Sequence, residues 1–324
     1  MAFAMPRIVA LDGFTLHHGD VPWDPVARLG ELVLHDRTPA DQIVARSADA
    51  NILITNKAPL TAETIGKLPK LKFIAVTATG YNIVATDAAA ARGIPVSNVP
   101  EYGTDTVAQF TFALLLELCH RLGWHSQTVH DGDWSRSSDW CYWLTPQMEL
   151  AGRTMGIVGF GRIGRRVGEL AHAFGMRVLA AAPRPVNPPS YQPFAWASLE
   201  ALFEQSNVVT LHVPQTPKTT GMVDASLLSR MKPGALLINA ARGALVNEAD
   251  LAYALNAGHI AGAAVDVVSV EPIRPDNPLL NAKNCIITPH MAWGSVDARR
   301  RIMRTTADNI AAFLAAKPIN VVNR

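Results

Sequence analysis

Residues 154–167, Thr-Met-Gly-Ile-Val-Gly-Phe-Gly-Arg-Ile-Gly-Arg-Arg-Val, decide the fold because they predict a strand, a glycine-rich turn and a helix in succession. In the spacing G-x-G-x-x-G, Gly159 makes the tight turn, Gly161 lets a pyrophosphate approach the backbone, and Gly164 lets the helix pack on the strand. The N-terminus of the helix adds N–H groups and a partial positive charge. In this context the pattern predicts dinucleotide binding, whereas the glycines alone can mark only a turn.

Short apolar runs and helical segments alternate through the chain on both sides of this motif. The apolar runs are continuous, which is typical of parallel strands covered by helices on both faces. The predicted strands are residues 7–12, 31–35, 51–55, 71–77, 95–99, 155–159, 177–181, 207–213, 235–239, 261–265 and 285–288. The predicted helices are residues 40–48, 61–68, 83–92, 162–174, 198–205, 225–231 and 248–257. Two such series predict an α/β fold with two doubly wound domains.

The composition indicates a folded chain without general affinity for nucleic acid. Its 324 residues suffice for roughly two domains. Hydrophobic residues make up 49% and charged residues 17%, which excludes a disordered chain, and the formal net charge is only +2. The local run Arg299-Arg300-Arg301 lies in a helical stretch, and we interpret it as a solvated face.

The sequence also predicts a cytoplasmic protein that does not bind a membrane. The chain has three cysteines and no C-x-x-C pair, which argues against a disulfide framework and fits a reducing compartment. The first seven residues, Met-Ala-Phe-Ala-Met-Pro-Arg, lack the basic and apolar regions of a signal peptide. The most apolar stretch, residues 107–119, is interrupted by Gln109 and Glu117 and is too short to cross a bilayer.

Residues 104–122 and 124–147 separate the two series of strands. The first segment is apolar on nearly every side, which predicts a helix buried between the domains. The second segment carries four tryptophans, and we interpret it as a long functional or interface loop, with a mobile surface excursion as the alternative. These tryptophans are Trp124, Trp134, Trp140 and Trp143.

The second strand after the glycine loop ends without the acidic residue that would bind a ribose 2′-hydroxyl. That acid is expected about 20 residues beyond the loop, but the sequence there is Ala182-Pro-Arg184. Without the carboxylate a 2′-phosphate is not repelled, and a nearby arginine can pair with it. We therefore predict that NADPH is accepted and preferred. The alternative is that Arg184 faces solvent and that NAD binds with weaker ribose contacts.

Charged residues follow the later strands at the edge where ligands bind. Arg242 follows the strand at 235–239, Asp266 ends the next strand, Glu271 comes five residues later, and His290 follows the last strand. Because ligands of open α/β sheets collect at the carboxyl ends of strands, these side chains are predicted to converge on the nicotinamide. Each also has an ordinary interpretation: a surface Arg-Gly turn, a loop cap, a Glu-Pro turn or a solvated histidine.

Together these motifs resemble those of the D-isomer-specific 2-hydroxyacid dehydrogenases, over nearly the whole chain. They are Gly159-Phe-Gly-Arg-Ile-Gly164, Leu211-His-Val-Pro214, Asn239-Ala-Ala-Arg242-Gly243, Asp266-Val267, Glu271-Pro272 and Pro289-His290. The glycerate dehydrogenase (hydroxypyruvate reductase) subgroup is the most similar. Its motifs are Asn56-Lys57, Ala78-Thr-Gly80-Tyr-Asn82, residues 102–108, residues 139–143, His290-Met-Ala-Trp293 and residues 317–322. Ala182 departs from the family, since many NAD-dependent members carry Asp there.

The resemblance implies two Rossmann-like domains with a cleft between them. Residues 1–103 with 294–324 would form a discontinuous substrate domain, and residues 104–293 the dinucleotide-binding domain. The implied reaction moves a hydride between NAD(P)H and a small 2-keto acid, such as hydroxypyruvate or glyoxylate, giving D-glycerate or glycolate. The family is usually homodimeric, and the tryptophan-rich segment is the candidate subunit contact.

The resemblance also implies a role for each matching residue. His290 would donate a proton to the carbonyl oxygen, Glu271 would favour the protonated ring through its other nitrogen, and Arg242 would hold the substrate carboxylate. Asp266 would contact the nicotinamide carboxamide. The implied cofactor-binding residues are Thr106, Gly159, Gly161, Arg162, Ile163, Gly164, Ala182, Arg184, His212, Val213, Pro214, Ala240, Ala241, Arg242, Asp266 and His290. The implied substrate-binding residues are Ala78, Thr79, Gly80, Arg242, His290 and Trp293.

No metal is expected in this chemistry. His120, His125 and His130 are spaced by five residues, not by the four of a helical metal pair, so we interpret them as surface residues. Two other functions use the same motifs. One is a non-enzymatic, dinucleotide-sensing protein resembling a corepressor, and the other is a different D-2-hydroxyacid dehydrogenase such as a phosphoglycerate dehydrogenase. A formate dehydrogenase is disfavoured because Glu271 would be replaced there.

Overall fold

The computed structural model describes residues 5–16 and 19–323. The chain forms two compact units, residues 1–103 with 294–324 and residues 104–293. The strands, in chain order, are β1 (Arg7–Ala10), β2 (Glu31–Leu34), β3 (Ile52–Thr55), β4 (Phe73–Val76), β5 (Val96–Ser97), β6 (Thr154–Val158), β7 (Arg177–Ala181), β8 (Phe194–Trp196), β9 (Val208–Leu211), β10 (Leu236–Asn239), β11 (Gly262–Val265) and β12 (Cys285–Ile287).

Helices connect most of these strands. They are α1 (Asp24–Ala27), α2 (Ile43–Ser47), α3 (Ala62–Gly66), α4 (Thr86–Ala91), α5 (Thr104–His120), α6 (Leu122–His130), α7 (Asp133–Arg136), α8 (Arg162–Ala173), α9 (Leu199–Gln205), α10 (Ala225–Arg230), α11 (Glu248–Asn256) and α12 (Val296–Leu314). Short 3-10 turns lie at Gly13–Thr15, Ala40–Gln42, Gly243–Leu245 and Pro278–Asn281. None of the helices in the described ranges is long and apolar enough to cross a bilayer.

The first unit is built on a five-stranded parallel sheet with the strand order β2-β1-β3-β4-β5. Two of its three inner strands, β3 and β4, are buried at every residue, as their continuous apolar sequences predict. Residues 294–324 belong to this unit. The backbone N–H of Val322 donates to the carbonyl of Val96 (2.8 Å), the side-chain amide of Asn309 donates to the carbonyl of Asn98 (2.9 Å), and Phe313 stacks on Phe73.

Arg299 corrects the interpretation of the arginine run as a solvated face. Its side chain is buried, and its guanidinium forms a two-point ion pair with Asp20 at 2.5 and 2.6 Å. Arg300 remains exposed, while Arg301 donates to the carbonyl of Tyr102 (2.9 Å). The helix α12 thus turns one of the three arginines inward, where a carboxylate compensates its burial.

The second unit is built on a seven-stranded parallel sheet with the order β12-β11-β10-β9-β6-β7-β8. Successive side chains of one strand enter two separate cores on opposite faces. Along β7, Val178 and Ala180 belong to one core, and Leu179 and Ala181 to the other. Helices cover both faces, so the predicted α/β class with parallel sheets is confirmed. The strand β8 was not predicted.

The segment between the two strand series differs from the prediction. The helix α5 ends at His120 because Arg121 adopts a left-handed conformation (φ 50°), and α6 and α7 then occupy part of the predicted loop. His125 stabilises this region, since its ring contacts the carbonyl of Arg121 and accepts a hydrogen bond from the backbone N–H of Leu144, both at 2.9 Å. Four tryptophans of the segment are 51–86% exposed, which is unusual for such large apolar side chains. These are Trp124, Trp134, Trp140 and Trp143.

Candidate active site

The glycine loop joins β6 to α8 and has a separate physical reason for each glycine. Gly159 has a positive φ of 94°, and an added Cβ would lie 2.5 Å from the carbonyl oxygen of His212. A Cβ on Gly164 would lie 2.0 Å from the carbonyl oxygen of Gly159. A Cβ on Gly161 would meet nothing within 4 Å. Packing therefore explains Gly159 and Gly164, while the space beside Gly161, at the N-terminus of a 12-residue helix, fits a dinucleotide pyrophosphate.

The end of β7 offers no carboxylate to a ribose. Ala182 is half-buried and Arg184 is exposed. The segment after Arg184 is held by Arg165 of α8, whose guanidinium donates to the carbonyl oxygens of Val186 (3.0 Å) and Asn187 (2.7 Å). The two-point hydrogen bond fixes the backbone close to Arg184, so this arginine is presented on an anchored loop.

His212 at the end of β9 lies beside the glycine loop. Its backbone N–H donates to the carbonyl of Val158 (2.7 Å), and its Nε2 lies 3.0 Å from the hydroxyl of Thr210. Burial lowers the pKa of His212 to about 4, so its imidazole is neutral at neutral pH. The next residue, Val213, packs directly against Gly159. The structure thus brings the motif at residues 211–214 against the glycine loop at residues 159–164.

The turn after β10 carries Arg242 and is shaped by a fully buried asparagine. The Asn239 side chain accepts from the backbone N–H of Ala241 (3.0 Å) and donates to the carbonyl of Arg242 (2.9 Å). The Arg242 side chain is exposed, and its Nη1 donates to the carbonyl of Ala241 (2.6 Å). A Cβ on Gly243 would lie 1.9 Å from the backbone carbon of Val268, so the turn packs tightly on the segment that follows β11.

Asp266 at the end of β11 is buried and organises the turn that carries His290. Its carboxylate accepts from the hydroxyl of Thr288 (2.6 Å) and from the backbone N–H groups of Met291 (2.9 Å) and Ala292 (2.8 Å). Burial raises the pKa of Asp266, and these three hydrogen bonds oppose the rise. The backbone of His290 donates to the carbonyl of Asp266 (2.7 Å), with the histidine at a left-handed φ of 53°.

His290 and Glu271 lie in contact. The distance from Nδ1 of His290 to Oε2 of Glu271 is 2.7 Å, and each side chain is about one-third exposed. Because a carboxylate only accepts, this hydrogen bond places a proton on Nδ1 and leaves Nε2 as the nitrogen available to a substrate. The other oxygen of Glu271 accepts from the backbone N–H of Val268 at 3.4 Å. The pair has the geometry of a proton donor and its orienting carboxylate.

The remaining predicted residues fall in both units. The second unit contains the predicted cofactor residues Thr106, Arg162, Ile163, Pro214 and Ala240, and also Trp293. The predicted substrate residues Ala78, Thr79 and Gly80 follow β4 in the first unit. There, Thr79 is fixed by two hydrogen bonds: its hydroxyl donates to the carbonyl of Val99 (2.9 Å), and its carbonyl accepts from Asn98 (2.8 Å).

Sequence reasoning missed the residues that hold these loops. Glu248 binds the segment between Asp266 and Asn277, and Arg165 binds the segment after β7. Both lie in the first turn of a helix that follows a predicted ligand-binding turn, and that position is the signal that could have identified them. Across residues 5–16 and 19–323, no three His, Cys, Asp or Glu residues form a group that could bind a metal.

Comparison with known proteins shows the family of this chain. A profile of the D-isomer specific 2-hydroxyacid dehydrogenase, NAD binding domain, matches residues 112–292. A hydroxypyruvate reductase from Blautia hydrogenotrophica is 46% identical over 321 residues, covering 98% of this chain and 100% of its own. A glycerate dehydrogenase from Methylorubrum extorquens is 42% identical, covering 87% of this chain and 88% of its own.

The chain is also similar to a solved structure of a reductase. The NADPH-dependent glyoxylate/hydroxypyruvate reductase from Sinorhizobium meliloti, in complex with NADP and malonate, is 31% identical with a TM-score of 0.82. The alignment covers 98% of this chain and 97% of that one. With a matching profile over more than half its length and near full-length relatives, the chain belongs to the D-isomer-specific 2-hydroxyacid dehydrogenase family.

Proposed function

We propose that this protein uses NAD(P)H to reduce a small 2-keto acid, either hydroxypyruvate to D-glycerate or glyoxylate to glycolate. The observation that carries the proposal is the 2.7 Å contact between His290 and Glu271 in the unit that also holds the glycine loop. The names of the similar hydroxypyruvate reductase and glycerate dehydrogenase support the substrate class. The nicotinamide, when bound, supplies the hydride that reaches carbon 2 of the keto acid.

His290 transfers the proton in this reaction, and Arg242 binds the carboxylate of the substrate. Nε2 of His290 gives a proton to the keto oxygen during reduction and accepts the hydroxyl proton in the reverse direction. Glu271 holds the ring through Nδ1 and compensates the charge of its protonated form. The exposed guanidinium of Arg242 provides a planar fork that suits a carboxylate, so it holds the acid group of the substrate.

We further propose that NADPH is preferred over NADH. Ala182 leaves no carboxylate to repel a 2′-phosphate, and Arg184 is exposed two residues later. Arg165 anchors the backbone next to Arg184, which reduces the entropy that an arginine on a free loop would lose on binding. The resemblance to a reductase solved with NADP is consistent with this assignment.

A homodimer is proposed through the tryptophan-rich segment, residues 124–147. Exposed tryptophans in such number are typical of a surface that a partner covers. Trp140 is 86% exposed, and Trp134 donates from its indole nitrogen to the Trp140 carbonyl (3.1 Å), which groups the two residues. Sedimentation velocity tests the proposal: we expect a dimer for the wild type and a monomer for Trp140→Lys. A monomeric wild type contradicts it.

The deciding experiment is a panel of 2-keto acids assayed with NADPH and with NADH. The panel contains hydroxypyruvate, glyoxylate, a bulkier keto acid and a phosphorylated one. We expect the highest kcat/KM for hydroxypyruvate or glyoxylate with NADPH. Cofactor binding without turnover of any acid would instead support a dinucleotide-sensing protein, and preference for the phosphorylated acid would support a phosphoglycerate dehydrogenase. A strong preference for NADH would refute the assignment of Arg184.

A further inference from the structure

We infer that Glu248 is a positioning residue that holds the segment carrying Glu271 against the turn carrying Arg242. The inference rests on the proposed function, in which Glu271 orients His290. Glu248 is the first residue of α11, whose N-cap is Asn247. Its carboxylate binds Ser269 and Asn277, neither of which is a predicted substrate or cofactor residue, so its effect on the reaction acts through other groups.

Glu248 makes three hydrogen bonds to the segment after β11. Its Oε1 accepts from the backbone N–H of Ser269 (2.6 Å), and its Oε2 accepts from the Ser269 hydroxyl (2.7 Å) and from the side-chain amide of Asn277 (3.0 Å). Residues 266–277 contain neither helix nor strand, so their backbone depends on such external partners. One carboxylate therefore fixes two points of an irregular segment, eight residues apart.

The same segment is in direct backbone contact with the Arg242 turn. A Cβ on Gly243 would lie 1.9 Å from the carbon and 2.0 Å from the oxygen of Val268, and 2.5 Å from the nitrogen of Ser269. Arg242 lies on one side of this contact and Glu271 on the other. Glu248 lies five residues beyond Gly243, and its carboxylate binds Ser269 on the other side of this contact.

The effect reaches the histidine through a short series of hydrogen bonds. Glu248 fixes the nitrogen of Ser269, which follows Val268, and the Val268 N–H donates to Oε1 of Glu271 (3.4 Å). The other oxygen of Glu271 binds Nδ1 of His290 (2.7 Å). When the backbone at 268–269 shifts, the Glu271 carboxylate loses the hydrogen bond from Val268, and the imidazole that it orients is displaced.

A simpler role for Glu248 is stabilisation of the N-terminus of α11, where a carboxylate is favourable. The chain offers a matched control for that role. Asp250 lies in the same first helical turn, but its carboxylate accepts from the backbone N–H of Ala225 (2.9 Å), away from the segment that carries Glu271. Asp250→Asn removes the same charge from the same turn and leaves the residues 266–277 untouched.

The test compares Glu248→Gln, Glu248→Ala and Asp250→Asn with the wild type. For Glu248→Ala we expect kcat for hydroxypyruvate with NADPH to fall about tenfold or more, because small displacements of catalytic groups cost up to ~10²-fold, while KM for NADPH is unchanged. Glu248→Gln retains an acceptor and is expected to recover part of the rate. Asp250→Asn is expected to keep the wild-type kcat.

A second readout does not depend on activity. In protein labelled with ¹⁵N-histidine, the Nδ1–H signal of His290, assigned by comparison with His290→Ala, should be lost or shifted in Glu248→Ala and retained in Asp250→Asn. An unchanged signal in both variants would overturn the inference, as would equal loss of kcat in both. If the wild type reduces no keto acid, the proposed function fails, while the NMR comparison still decides whether Glu248 positions the pair. Ser269→Ala, which removes one donor, replaces Glu248→Ala if that variant does not fold.

Discussion

Replacing either of two glycines in the same loop by alanine should change the stability of the protein in opposite directions. Gly164→Ala places a Cβ 2.0 Å from the carbonyl oxygen of Gly159, about 1.4 Å short of ordinary van der Waals contact. Gly161→Ala places a Cβ in open space, at a φ of −80° that alanine adopts without strain. The first variant therefore tests packing of the helix on the strand, and the second tests whether the open space belongs to a ligand.

The expected magnitudes follow from these contacts. Overpacking of this kind costs about 1–3 kcal/mol, which lowers Tm by roughly 2–12 °C for a unit of this size. Gly161→Ala leaves the fold intact and stabilises it by about 0.4–1 kcal/mol, because alanine has less conformational freedom in the unfolded chain. If the pyrophosphate lies against Gly161, the methyl group should weaken NADPH binding at least tenfold, about 1.4 kcal/mol.

Both quantities are measured on the same samples. Thermal melting followed by circular dichroism gives Tm, and titration with NADPH, followed by nucleotide fluorescence, gives Kd. The reasoning is refuted if Gly161→Ala binds NADPH as tightly as the wild type, because the space beside residue 161 then holds no phosphate. A Gly164→Ala protein with unchanged Tm would refute the packing argument independently.

Four further changes test other parts of the site and the fold. His290→Ala should cut kcat by roughly 10²-fold or more and leave NADPH affinity nearly intact, and an unchanged kcat would reject its role as proton donor. Arg242→Ala should raise KM for the keto acid and lower kcat, and normal steady-state values would contradict the assignment. His212 has a folded pKa of about 4 against 6.5 unfolded, so the unfolded chain binds more protons between these values and stability falls as the pH drops from 6.5 to 4. His212→Asn should remove up to about 3 kcal/mol of this pH dependence, measured by urea unfolding with tryptophan fluorescence. Arg299→Met should destabilise the protein by about 3 kcal/mol, because Asp20 loses a partner in a partly buried pair, and an unchanged melting temperature would show that the pair contributes nothing.

The inner strands of the second sheet were predictable because burial on both faces leaves a clear local pattern. β7 was predicted with its observed bounds, and β10 and β11 to within one residue. β8 was not predicted because it has three residues, follows a proline-rich stretch and is a strand only through its pairing with β7. The break between α5 and α6 was not predicted either. It depends on the left-handed conformation of Arg121, a position where the sequence has no glycine.

The site was predictable where strand ends determine it and unpredictable where loop packing does. Arg242, Asp266 and His290 follow neighbouring parallel strands, so the sheet places them along one edge. The partners of the Asp266 carboxylate at positions 288, 291 and 292, and those of Glu248, depend on how irregular segments fold on each other. The Arg299 ion pair joins residues 279 positions apart, and an arginine run carries no local information about such a partner.

The return of residues 294–324 to the first sheet has a consequence for synthesis on the ribosome. The backbone N–H of Val96 donates to the side chain of Asn323, and the Ser97 hydroxyl donates to the carbonyl of Ile319. These acceptors lie 227 and 222 positions later, so the edge at β5 stays incomplete until that stretch has been translated. The continuous stretch 104–293 has all of its strands by then. We expect the nucleotide-binding unit to fold first during translation and the other unit to be completed last, because its sheet lacks these C-terminal partners until then.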